Sequence, residues 1–150
     1  MSNRYNILSA ACCMLCSSIA FAGACDITVT GNDAMQFAPK TISVPSSCKQ
    51  FTINFSHIGK QPKKTMGHNW VLVETKNINA VAMAALKSGA QNDYLPKDNP
   101  QILAQSKLIG SGEKTVITIA TDKLSPAKQY SYICTFPGHS SVMQGQLTVK

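Results

Sequence analysis

The chain has 150 residues and a mass of 16.1 kDa, with 14 Lys plus Arg against 7 Asp plus Glu, a formal net charge of +7 and a pI near 9.2. This length suits one domain and excludes a large multi-site enzyme, while 44 % hydrophobic residues exclude a disordered chain. Charged residues make up only 14 %, against roughly 25 % in an average soluble domain, so the basic excess is a surplus of lysine and not a nucleic-acid-binding stripe.

Arg4 supplies a short positive segment, and an apolar run rich in small residues follows from Ile7 to Phe21, ending in Ala20-Phe21-Ala22. That is the layout of a secretory signal peptide with its A-x-A cleavage site. The run is shorter than the ~20 apolar residues a membrane span needs, and no later segment is apolar for longer. Residues 1–22 are expected to be a signal peptide and residues 23–150 a single domain starting at Gly23. Cleavage removes Arg4 and no acid, which lowers the charge by one. It also removes Cys12, Cys13 and Cys16, leaving Cys25, Cys48 and Cys134. In an oxidising compartment two of these three are expected to pair. Ala22-Gly23-Ala24-Cys25 loosely matches a bacterial lipobox, with Ala where Leu is usual, so acylation of Cys25 is an alternative that would anchor the protein to a membrane.

Beyond the leader, short segments alternate with period two: Ile27 and Val29; Phe51, Ile53 and Phe55; Ile117 and Ile119; Leu147 and Val149. Strands with one face inward write this pattern. Tyr130, Tyr132 and Cys134 share a face by the same count, which puts Cys134 at a strand end. Turns are marked by Gly31-Asn32-Asp33, Gly110-Ser111-Gly112 and Pro137-Gly138. Seven or eight short strands in one small exported domain indicate an all-β sandwich. The exception is 77–89, where Ile78, Val81, Ala82, Ala85 and Leu86 recur with helical spacing between Asn77 and Gly89. This predicts one inserted α-helix with a buried stripe.

The chemistry concentrates in Cys134-Thr-Phe-Pro-Gly-His139-Ser-Ser-Val-Met143. A loop of this length can curl so that thiol, imidazole and thioether converge. Sulfur donors with imidazole favour copper, whereas structural zinc would want a fourth strong ligand. Met66-Gly67-His68-Asn69-Trp70 can supply a second imidazole. Trp70 reads as core, and His57 as a histidine near the site that is not a ligand.

With these segments, the chain resembles the azurins, bacterial periplasmic blue-copper proteins of the cupredoxin family. The resemblance spans residues 23–150. It is carried by Ala24-Cys25-Asp26-Ile27, Gly31-Asn32-Asp33, Met66-Gly67-His68-Asn69-Trp70, Leu108-Ile109-Gly110-Ser111-Gly112-Glu113-Lys114 and Cys134-Thr135-Phe136-Pro137-Gly138-His139. It implies a Greek-key, cupredoxin-like sandwich holding one type 1 copper ion. His68, Cys134 and His139 would lie in the metal plane, with Met143 and the Gly67 carbonyl on opposite axial sides. Asn69 would tie the ligand segments together, and an amide near Phe136 would donate to the thiolate. Cys25 and Cys48 would form the disulfide, closing a loop of 22 residues and contributing about 3 kcal/mol on the loop-entropy account.

The implied function is one-electron transport between periplasmic redox partners, such as c-type cytochromes or copper- and haem-containing reductases, with no substrate transformed. Electrons would leave through an exposed edge of His139, ringed by an apolar docking patch of Met35, Met66, Leu86, Phe136 and Pro137. No nucleic-acid partner is expected, and a membrane only if Cys25 is lipidated. Two other classes compete. A cysteine hydrolase using Cys134 and His139 would lack an orienting acid or amide and leave Met143 without a role. A copper carrier or buffer would expose exchangeable ligands, whereas here they are split along the chain.

Overall fold

Alternation of apolar and polar residues builds the strands, and the computed structural model describes residues 25–150. The expected leader, its cleavage site and the residues before Cys25 lie outside the described residues. Nine strands are present among those described: β1 (Asp26–Asn32), β2 (Gln36–Ala38), β3 (Thr41–Val44), β4 (Gln50–His57), β5 (Val71–Glu74), β6 (Ile102–Gln105), β7 (Lys114–Ala120), β8 (Tyr130–Ile133) and β9 (Gln144–Val149). One sheet has the order β2-β1-β4-β7 and the other β3-β9-β8-β5-β6. β1 runs parallel to β4 and β3 parallel to β9, with the remaining pairs antiparallel. This is the expected Greek-key sandwich, with one or two more strands than the alternation predicted.

The core lies between the sheets. Val29, Phe51, Ile53, Phe55, Ile117, Ile119 and Leu147 turn inward as their period-two spacing requires. Trp70 is fully buried, as expected, and stacks on Tyr132 with centroids 5.3 Å apart. Tyr130, Tyr132 and Cys134 belong to this core, while Ile133 faces a second apolar cluster with Val71, Val73 and Val81. β5 and β8 are therefore covered on both faces, which hides β5 from the alternation, whereas β8 lies where Tyr130, Tyr132 and Cys134 placed it. One turn is displaced from its expected place. Gly31 and Asn32 still belong to β1, and the reversal comes at 33–35, held by the Asn32 side chain accepting from the amides of Ala34 and Gln36.

Two α-helices interrupt the sandwich: α1 (Lys63–Met66) and α2 (Ile78–Ser88). α2 is the predicted insertion and packs on the outer face of the five-stranded sheet through Val81 and Ala85. Gly89 closes it with φ +71°, a conformation that favours glycine. Asn77 stands at its start but forms no side-chain cap. The buried stripe is narrower than expected: Ile78 and Ala82 are only partly covered, and Leu86 is 48 % exposed. No helix among the described residues is long and apolar enough to cross a membrane.

Cys25 and Cys48 are joined by a disulfide, and Cys134 is the free cysteine among the described residues. The sulfur of Cys25 is thereby engaged and has no thiol to acylate. The disulfide sits where β4 begins, whereas His57 ends the same strand at the opposite end of the sandwich.

Candidate metal centre

Three segments meet at that opposite end. His68 follows α1 and exchanges two backbone hydrogen bonds with Ile109, its amide donating to the Ile109 carbonyl at 2.9 Å and its carbonyl accepting from the Ile109 amide at 2.8 Å. Cys134 stands one residue past β8, and its amide donates to the Met143 carbonyl at 3.0 Å. The Met143 amide donates to the His139 carbonyl at 2.8 Å, so the loop from Cys134 to Met143 is closed on itself before β9 starts. His68, Cys134 and His139 bring their ligand atoms within 4.8 Å of one another. The Cys134 sulfur lies 3.9 Å from His68 Nδ1, 3.5 Å from His139 Nδ1 and 3.9 Å from the Gly67 carbonyl oxygen. Met143 is fully buried, and its methyl lies beside the His68 ring over Gly31.

The ring nitrogens are sorted by their partners. His68 Nε2 donates to the Asn32 carbonyl at 2.9 Å, which leaves Nδ1 with a lone pair facing the cysteine. His57 is 1 % exposed and stacks on His68, centroids 4.4 Å and planes 9° apart. Its Nδ1 accepts from the Gly59 amide at 3.0 Å and its Nε2 donates to the Met66 carbonyl at 2.8 Å. Both nitrogens are thus engaged, and His57 supports His68 without facing the donor cluster, as a non-ligand should.

Asn69, also buried, links the two ligand segments. Its Nδ2 donates to Thr135 Oγ1 at 2.7 Å and to the Asp93 carbonyl at 3.1 Å, and its Oδ1 accepts from the Thr135 amide at 2.8 Å. The backbone amides of Asn69 and Phe136 both hydrogen-bond the Cys134 sulfur. Phe136 lies against His139 at 4.7 Å between centroids, with Tyr94 edge-on behind it at 5.3 Å. Asp93 and Tyr94 both have φ above +50°, a strained state for residues other than glycine, and each offers its carbonyl to this network.

Burial sets the protonation of the donors. It pushes the Cys134 thiol up to about 12, against the pull of the two amides, and takes His68 down to about 4. His139 is also lowered, by burial first and then by His57. At neutral pH the metal-free site therefore holds one thiol and neutral imidazoles.

The donor set fits copper. Two imidazole nitrogens and one cysteine sulfur converge with a buried methionine beside them, and no carboxylate joins the cluster among the described residues. Structural zinc would take four strong ligands, whereas two histidines and a cysteine with a weak methionine form a blue-copper set.

The expected docking residues differ in exposure. Met35, Met66 and Phe136 are half-buried and Pro137 is exposed. His139 is 4 % exposed, so the exposed edge expected of it is a narrow one. Leu86 is 48 % exposed on α2. Leu108 also reaches the site, its side chain against Gly67. Its signal was the Leu108-Ile109-Gly110 segment, read for resemblance and not for contact.

A family model described as copper-binding proteins of the plastocyanin/azurin family matches residues 23–150. An azurin of Pseudomonas aeruginosa is 47 % identical over 136 residues, covering 91 % of this chain and 92 % of its own. An azurin of Alcaligenes faecalis is 43 % identical over 124 residues, covering 83 % and 97 %. Among solved structures, the azurin Az-iso2 of Methylomonas sp. strain J superposes with a TM-score of 0.82 at 40 % identity, covering 85 % of this chain and 98 % of that one.

Proposed function

The chain belongs to the plastocyanin/azurin family of copper-binding proteins, and from that premise we propose that it is a mobile one-electron carrier of the bacterial periplasm. Its cofactor is copper, and electron transfer at a copper site is what its family implies. The observation that carries the reading is the buried convergence of His68 Nδ1, Cys134 Sγ and His139 Nδ1 on one point.

The bound metal would supply a Cu(I)/Cu(II) couple that stores one electron without changing a bond in any substrate. The chain's own residues make that exchange easy. His68 is held by Asn32 on one nitrogen and by the His57 ring on its face. Cys134 is held by the hydrogen bond its amide donates to the Met143 carbonyl. Amides of Asn69 and Phe136 stabilise negative charge on its sulfur. Gly67 and Met143 would complete the donor set as weak ligands. With the donors fixed in advance, little structure has to move when charge changes. Residues 1–22 would be the leader and 23–150 the mature domain.

The rival readings fit less well in two respects. A copper-delivery protein needs exchangeable ligands, whereas His68, Cys134 and His139 are all at most 4 % exposed. A cysteine nucleophile needs a lowered pKa and access, whereas burial pushes Cys134 up to about 12. The partners we propose are c-type cytochromes or copper- and haem-containing reductases, docking at Met35, Met66, Leu86, Phe136 and Pro137 around His139. The test has two arms. Osmotic-shock fractionation with N-terminal sequencing should find the protein in the periplasmic fraction, starting at Gly23. Stopped-flow mixing of its reduced copper form with an oxidised c-type cytochrome should transfer one electron per chain. Retention in the cytoplasm would overturn the location, and absence of transfer would overturn the carrier role.

A further inference from the structure

One sequence cluster is not absorbed by the metal centre: Lys60, Lys63 and Lys64, three lysines within five residues. The fold brings them to the site. The Lys63 backbone lies against Gly67 on one side and Gly110 on the other, close enough that neither glycine could carry a side chain without movement. Gly67 is the residue whose carbonyl stands 3.9 Å from the Cys134 sulfur. The Lys60 amide is held by Asp33 at 2.7 Å, next to the Asn32 carbonyl that binds His68. Lys107 adds a fourth, immediately before the Leu108 that packs on Gly67.

The acids nearby hydrogen-bond backbone amides. Asp33 accepts from the amides of Lys60 and Gln61, Glu113 from Gly110, and Asp93 from Leu108. The one ion pair involving these lysines, Lys63 with Asp93, is stretched to 4.0 Å. Such an exposed pair is worth little. Elsewhere the pattern differs, for Glu74 pairs with both Lys76 and Lys128. At the metal end the carboxylates keep their charge, but Lys60, Lys63, Lys64 and Lys107 outnumber Asp33, Asp93 and Glu113, and Lys60, Lys64 and Lys107 are exposed with no ion pair among the described residues.

We propose that Lys60, Lys63, Lys64 and Lys107 form a basic rim beside the metal centre, and that this rim docks a redox protein whose electron-entry face is acidic. The proposal rests on the carrier reading and names the chemistry of its partner. Charge complementarity of this kind steers encounter and weakens as salt screens it.

The test is stopped-flow electron transfer from the copper-loaded mature protein to an acidic and to a basic c-type cytochrome, between 10 and 300 mM NaCl. The acidic cytochrome should react faster at low salt and slow as salt rises. The triple variant Lys60→Gln, Lys63→Gln, Lys64→Gln should cut its low-salt rate about tenfold while leaving the high-salt rate and the copper spectrum unchanged. A control with the same charge change, Lys49→Gln, Lys123→Gln, Lys150→Gln, lies at the far end, where β4 begins and β9 ends. It should change the rate less than twofold. A salt-independent rate, equal effects of the two triples, or preference for the basic cytochrome would overturn the basic rim and leave the carrier reading standing. Failure to reduce either cytochrome would overturn the carrier reading, and the rim with it.

Discussion

Asn69 and Thr135 stand 66 residues apart in sequence and hydrogen-bond each other in both directions, Nδ2 to Oγ1 at 2.7 Å and the Thr135 amide back to Oδ1 at 2.8 Å. Each is next to a donor residue, His68 for one and Cys134 for the other, so this pair sets how far apart the two ligand segments stand. Asn69→Ala would leave the buried Thr135 amide without a partner. A loss of about 1–3 kcal/mol is expected, the usual cost of a stranded buried donor, together with a shift of the copper reduction potential. Urea unfolding and protein-film voltammetry would measure the two. Unchanged values in both would mean the pair is incidental.

Gly31 lies under the site, where an added Cβ would come within 2.9 Å of the Met143 methyl and 3.0 Å of His68 Cδ2. Gly31→Ala should therefore push both side chains, costing about 1–3 kcal/mol in overpacking and perturbing the copper absorption. Gly112→Ala is a useful contrast: no atom stands within 4 Å of its Cβ position, but its φ is +73°, so it should cost stability through backbone strain and leave the spectrum alone. Thermal melts and visible spectra of the two variants separate crowding at the site from strain outside it.

Metal uptake should release about one proton per chain at pH 7. Cys134 is raised by burial to about 12, so it enters the reaction as a thiol and leaves as a thiolate. His68, lowered to about 4, is already neutral there, and His139 is lowered in the same direction. Affinity should then rise with pH through neutrality, about tenfold per unit for a single released proton. Titration calorimetry in buffers of different ionisation enthalpy counts the proton directly. Zero or two protons would contradict this protonation of the site.

The Cys25–Cys48 disulfide closes a loop at the end of the sandwich away from His57. Replacing both cysteines by alanine should destabilise the fold by about 3 kcal/mol and leave the copper spectrum unchanged. A changed spectrum would show that the two ends are coupled.

Much of this architecture was legible beforehand. Phe51, Ile53 and Phe55 write a strand because only one face of β4 meets the core. Residues 78–88 write a helix because only one side of α2 does. The ligand residues were visible because Cys134, His139 and Met143 share one short loop. What stayed hidden depends on contacts between distant segments. The stacking of His57 on His68 joins β4 to the segment after α1, and no spacing encodes it. β2 and β6 are too short to display alternation, and β5 is buried on both faces. Leu86, expected in the buried stripe of the helix, is exposed on α2, and Leu108, which no spacing assigned to the site, packs on Gly67.

The central claim is that Cys134, as a thiolate, would hold copper together with the imidazoles of His68 and His139. It is tested most directly by adding one equivalent of Cu(II) to the metal-free mature protein and recording visible absorption and EPR spectra. The account predicts an intense blue thiolate-to-copper band with unusually narrow copper hyperfine splitting, both abolished by Cys134→Ser. A pale spectrum with ordinary splitting would contradict it, because the sulfur would then stand outside the copper plane.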